Sequence, residues 1–190
     1  PAVMSMEEGR RLVEAARQSA GRYFFLENCC YWAFVMAWKK MAADGRLGEI
    51  FYAEGDYVHD IKFLFRDEQG RKTWRWDFEP IRYVTHETGP LLDILGTRGV
   101  SVTALASQQA EPEMYGQTNA VGALVKMASG AVLRLLTSFC NGTRAYHQYR
   151  VIGTKGALET RDTENVTKAD WADVPYLQGP ALLPLGINEP

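Results

Sequence analysis

A chain of 190 residues is long enough for one domain with a real core, or for one domain plus a remnant of another. Its 46% hydrophobic and 23% charged content is ordinary for a globular protein, and a formal net charge of −2 argues against nucleic acid or a polybasic membrane surface as partner. No apolar run approaches the roughly 18–20 residues that cross a bilayer, and no secretory signal is visible.

The three cysteines, Cys29, Cys30 and Cys140, are odd in number and two are adjacent, so no disulfide framework is expected. Free thiols suit a reducing, cytoplasmic setting, and without a CxxC pair no structural metal is expected. A start at Pro1 rather than methionine fits a piece of a longer protein, or removal of the first residue.

In chain order, Ser5 and Glu8 have capping-box spacing ahead of a helix over Met6–Ala20, with Leu12, Val13, Ala15 and Ala16 on its apolar face and Gly21 as its stop. "RYFFLEN" reads as a short strand, so the chain opens like the last α-β unit of a parallel sheet. A second helix covers about Tyr31–Ala43, where Phe34, Val35, Trp38, Met41 and Ala42 recur at helical spacing. "DGRLG" ends it, and "EIFYAEGDYVHD" reads as a long strand. Residues 61–80 are polar and irregular, and a helix within 83–96 is expected to start near Glu87–Pro90, with the proline in its first turn.

From residue 100 five strands follow: "VSVTALAS", "TNAVGALVKMA", "AVLRLLTSF", "QYRVIG" and "ALETR", with turns at Ser129-Gly130 and at "GTKG" 153–156. The tail 171–190 holds four prolines and no clear period. The sum is an α+β fold: a large, mostly antiparallel sheet with helices on one face.

Four stretches carry polar groups that suit chemistry. In "YVTHETGP" His86 offers an imidazole, a group that can pass a proton, with Tyr83 and Thr85 to orient it or a bound hydroxyl; the alternative is a histidine tied to backbone near a helix start. In "YVHD" alternation puts Tyr57 and His59 on one face; with Asp60 and His86 they make a conceivable metal set, against the commoner reading of solvated or hydrogen-bonded polar residues. In "ENCCYW" the Asn28 amide either contacts a cofactor or caps the next helix. In "RAYH" Tyr146 either faces a pocket or packs as strand tyrosines do. No GxGxxG, Walker loop or GxSxG elbow is present.

"SMEEGRRLVEAARQSAGRYFFLEN", "DGRLGEIFYAEGDY", "THETGPLL", "SGAV" and "VIGTKGALE", in that order, resemble the Gfo/Idh/MocA family of NAD(P)-dependent sugar oxidoreductases. The resemblance implies that residues 1–28 are the remnant of a Rossmann domain, that 29–190 form a sheet-based substrate and oligomerisation domain, and that this piece alone is inactive. It is closest to a branch of NAD-dependent glycosidases. That branch's Tyr-Pro-Thr-His-Gly-Leu-Gly-Pro is matched by Tyr83–Pro90 with Val84 for Pro, and its Tyr-Gln-His-Asp by Tyr57–Asp60. Its Leu-Glu-Asn is matched by Leu26-Glu27-Asn28, and its Arg-Pro-Tyr by Arg144-Ala145-Tyr146. By this resemblance Tyr57, His59, Arg75, Tyr83, Val84, Thr85 and Tyr146 line the sugar pocket around His86, while Glu27 and Asn28 meet the cofactor, NAD or NADP. Trp74 and Trp76 would add aromatic faces for a pyranose. The dehydrogenase branches carry Asp four residues before the histidine; here that residue is Arg82. The implied function is hydride transfer between a sugar and nicotinamide with His86 and Tyr83 as catalytic groups. The alternatives are glycoside hydrolysis through transient C3 oxidation, and a non-catalytic oligomerisation domain. The expected partners are a small sugar and a second copy of the chain, met through the open sheet face.

Overall fold

The computed structural model describes residues 2–76, 78–108, 118–139, 142–161, 166–171 and 181–184; Cys140 lies outside them. Helix α1 spans Met6–Gln18 behind the expected capping box: the Ser5 hydroxyl accepts from the Glu8 amide and the Glu8 carboxylate accepts from the Ser5 amide. The helix buries no residue, so its apolar stripe is uncovered, and Val13 is 50% exposed.

Residues 22–27 are extended but form no strand, contrary to expectation. A strand is defined by its ladder, and none of the strands described below pairs with this segment. Tyr23, Phe24, Phe25 and Leu26 are all at least half exposed. A single 3-10 turn, Asn28–Tyr31, leads into α2, Ala33–Ala43, which buries Val35 and Trp38.

The strands are β1 Ile50–Val58, β2 Gly99–Ala106, β3 Ala120–Met127, β4 Val132–Ser138, β5 Tyr146–Gly153, β6 Gly156–Arg161, β7 Val166–Trp171 and β8 Ala181–Pro184. They form one sheet in the order β2-β3-β4-β1-β5-β6-β7-β8. Every pairing is antiparallel except β1 with β4. The α+β expectation therefore holds, and so do both expected turns. The β3–β4 turn is closed by Gly130 at φ 93°, and the β5–β6 hairpin by Thr154-Lys155, whose amides donate to Glu49 and Leu47 carbonyls. β7 and β8 add strands that the sequence pattern did not single out.

The third helix, α3, spans Thr85–Leu95, one turn earlier than expected, because a 3-10 turn at Pro80–Tyr83 runs directly into it. Pro90 consequently lies inside the helix. α2 and α3 cover the middle of one sheet face. Gly55 in β1 permits the contact: a Cβ there would lie 2.9 Å from Glu87 Cβ and 3.0 Å from Leu91 Cδ1. The main core joins Val35, Trp38, Leu91, Ala123, Leu133, Leu135, Tyr149 and Val151. A second, aromatic core of Tyr57, Ile61, Phe65, Trp76, Phe78 and Phe139 closes over the end of β1. Among the described residues no helix is long and apolar enough to cross a membrane.

Candidate active site

The C-terminal end of β1, the start of α3 and the segment before the Asn28 turn meet in one place. All three histidines of the chain gather there around Tyr57. Its ring stacks on His59 at 4.1 Å and on His86 at 5.2 Å between centroids, and meets His147 edge-on at 4.7 Å. Tyr83 closes against Tyr57, His86 and Phe139.

His86 is the second residue of α3, and its place is fixed by backbone as well as packing. Pro90 has no N–H to donate to the carbonyl four residues back, which is that of His86. The buried Tyr149 hydroxyl donates to it instead, at 2.7 Å. The imidazole Nδ1 lies 2.7 Å from Glu27 Oε1 and 3.4 Å from Cys29 Sγ. The same Glu27 oxygen accepts the Cys29 amide at 3.2 Å, so Glu27, not Asn28, caps the 3-10 turn.

The electrostatics follow from burial. Burial works against ionisation of Glu27, but the hydrogen bonds from His86 and the Cys29 amide outweigh it and hold the carboxyl below its usual value. Burial and the adjacent Glu27 charge push the Cys29 thiol up, which disfavours a thiolate. His59 and His147 face each other with Nε2 atoms 2.9 Å apart. Burial lowers both, His147 to about 4, so the pair shares one proton between neutral rings. Beneath the site Glu87 is fully buried, accepts from Thr137 Oγ1 at 2.7 Å, and is pushed up by burial to about 8.

A cavity of about 530 Å³ opens beside His86. It is lined by Met4 and the 25–28 segment and by Trp74, Phe78, Tyr83, Thr85 and His86. Of the residues expected to bind substrate or cofactor, Tyr83, Thr85, Glu27 and Asn28 border it directly. Tyr57 lies beneath, 8% exposed, and supports His86 and His59 rather than lining the cavity. Arg75 stacks on the exposed Trp74 ring at 4.2 Å, and its Nε is buried without a hydrogen-bond partner among the described residues.

Other expectations are corrected. Val84 packs against the main core, because it is the residue that turns the chain into α3. Trp76 is 8% exposed and belongs to the aromatic core, with Arg66 and Lys72 over its ring. Tyr146 pairs with Val58, and strand alternation puts it on the face opposite Tyr57, where it cannot line this cavity. His147, opposite Tyr57, is the β5 residue on the Tyr57 face. The parity was legible: Tyr149 and Val151 are the inward apolar residues of β5, and His147 shares their register. The set of Tyr57, His59, Asp60 and His86 does not assemble, since Asp60 turns to the Lys62 amide and ammonium. Among the described residues the only grouping with metal-ligand proximity is Glu27, Cys29 and His86.

Residues 35–159 match the family model of the GFO/IDH/MocA C-terminal domain. Similar curated proteins include glycosyl hydrolase family 109 protein 2 and an alpha-N-acetylgalactosaminidase, both of Bacteroides fragilis. Each is 29% identical over 210 residues, covering 96% of this chain and 49% of the relative. The chain thus spans about half the length of the curated relatives it matches. In fold it is similar to an inositol dehydrogenase homolog solved with NAD+ from Azotobacter vinelandii, with a TM-score of 0.78 and 20% identity over 96% of this chain and 49% of that one. It is likewise similar to a levoglucosan dehydrogenase solved with NADH and L-sorbose, with a TM-score of 0.76 and 17% identity over 93% of this chain and 50% of that one.

Proposed function

Since this chain belongs to the GFO/IDH/MocA family and carries its C-terminal domain, we propose that it is the substrate-binding part of an NAD(P)-dependent enzyme acting on a sugar or sugar derivative, with His86 as the acid/base group. Residues 1–28 are read as the end of a nucleotide-binding domain supplied by the rest of the protein. The observation that carries the reading is the position of His86: at a helix start, on a carboxylate, in a cavity that the 25–28 segment also lines.

The residues present fit the nicotinamide end of such a cofactor. Glu27 and Asn28 offer polar groups beside His86, and the rings of Phe25 and Trp74, with Leu26, offer apolar surface at the same cavity. A bound nicotinamide supplies the hydride acceptor and donor. His86 takes the proton from a sugar hydroxyl, Tyr83 and Thr85 border the same space for hydroxyl contacts, and Trp74 gives an aromatic face to a pyranose. The free thiols of Cys29 and Cys30 accord with a cytoplasmic setting.

Two outcomes share this chemistry: net oxidation of a sugar, or glycoside cleavage with the cofactor recycled. The relatives named as glycosyl hydrolases, and Arg82 in place of the dehydrogenases' aspartate, favour cleavage. The test uses the intact protein with bound NAD(H). Release of nitrophenol from nitrophenyl α-N-acetylgalactosaminide without net NADH is the expected result; net NADH from free sugars would select the dehydrogenase. His86→Ala is expected to lower turnover by roughly 10²–10⁴-fold with the fold intact. Near-normal turnover would remove His86 from the mechanism.

A further inference from the structure

The geometry points to Glu27 as the positioning carboxylate of His86, fixing its ring as the Nδ1–H tautomer and leaving the Nε2 lone pair to accept the proton. This goes beyond the reading of His86 as acid/base group and rests on it. It also gives Glu27 a task other than contact with the cofactor.

Three observations carry it. First, Glu27 Oε1 and His86 Nδ1 are 2.7 Å apart, and the Glu27 side chain is only 10% exposed. A carboxylate oxygen cannot face a bare lone pair at that distance, so Nδ1 carries the hydrogen and donates it. Second, Glu27 is held from its other side. The Cys29 amide donates to the same oxygen, so the carboxylate is aimed by the 3-10 turn it caps. Third, α3 is shaped to receive it. A Cβ at Gly89, one turn beyond His86, would lie 2.8 Å from Glu27 Cγ and 3.0 Å from Cys30 Sγ. Only a residue without a side chain lets the Glu27 segment come this close. When Nε2 takes a proton, the positive charge that forms lies against an ionised carboxylate, and no rotation of the ring is needed. The neighbouring Cys29 cannot take this role, since its thiol is neutral and 3.4 Å away.

The test is made on the intact, cofactor-loaded protein labelled with 15N-histidine, the His86 signal being identified by its loss in His86→Asn. The parent is expected to show the Nδ1–H pattern. Glu27→Gln is expected to shift the ring toward a mixture of tautomers and to lower kcat by roughly 10²-fold with KM for substrate little changed. Glu27→Asp is expected to recover part of both. A Glu27→Gln protein that keeps the parent tautomer and kcat overturns the proposal, while the reading of His86 survives if His86→Asn is inactive. Loss of NAD affinity in Glu27→Gln with an unchanged tautomer also overturns it, and returns Glu27 to the cofactor. Should Glu27→Gln fail to fold, Gly89→Ala serves instead. It is expected to displace Glu27 and produce the same tautomer change, and an unchanged ring signal there counts against the proposal.

Discussion

At the scale of single residues, two buried titratable groups set opposite limits on stability. Glu87 is folded with its carboxyl pushed up to about 8 from an ordinary 4.5. Between those values the unfolded chain releases a proton that the folded chain keeps. Stability complete below 4.5 is therefore lost as pH rises toward 8. His147 acts in the other direction: its folded value of about 4 lies below the ordinary 6.5, so stability present above 6.5 is lost as pH falls toward 4. Thermal midpoints measured across pH should decline on both sides. Glu87→Gln, which keeps the shape and the acceptor for Thr137, should flatten the alkaline decline only. An unchanged alkaline slope would show that Glu87 is ionised in the fold. At this scale the sequence was partly readable. His86 and Tyr83 stood out because a histidine close to a tyrosine, two threonines and a Gly-Pro pair is chemically conspicuous. Its orienting partner was not, because Glu27 is 59 positions away and its role exists only once α3 has docked.

At the scale of elements, α3 is a helix with a proline in its body, which ordinarily leaves one carbonyl unbonded at a cost of about 3 kcal/mol. Here the unbonded carbonyl belongs to His86, and β5 supplies its donor through Tyr149. Tyr149→Phe is expected to destabilise the fold by about 1–3 kcal/mol by stranding a buried acceptor. In a Pro90→Ala background, where the helix amide can return, the same change should cost less. Equal costs in both backgrounds, by denaturant titration, would separate the hydroxyl from the proline. Pattern alone read β1, β3, β4 and the two hairpin turns well, since alternation and turn residues are local. It fails at "RYFFLEN", where β-forming residues have no neighbouring strand, and at the start of α3, where a proline suited to a first turn lies inside the helix. The parity of β5 is legible from Tyr149 and Val151 and favours His147, whereas the resemblance of "RAY" points to Tyr146.

At the scale of the whole molecule, the sheet face away from α2 and α3 mixes exposed apolar side chains with paired charges. Leu105 and Leu124 are 78% and 53% exposed, and beside them Arg134 bridges Glu54 at 2.9 Å and Asp56 at 2.8 Å. We propose that the expected second copy of the chain meets this face, which carries both signs of charge and apolar area. Leu124→Glu is expected to halve the mass read by light scattering; a parent that is already monomeric at micromolar concentration would end the dimer reading. The position of β1 has a consequence for how the chain acquires its shape. This strand precedes both of its ladder neighbours, β4 and β5, and its Glu54 meets Arg134 of β4 across 80 positions of chain. Its backbone stays unpaired until they are made, so the centre of the sheet depends on long-range ladders whose loops must close first. Non-local ladders of this kind form slowly, and a chain that lacks β4 and β5 leaves unpaired the strand around whose Tyr57 the histidines converge.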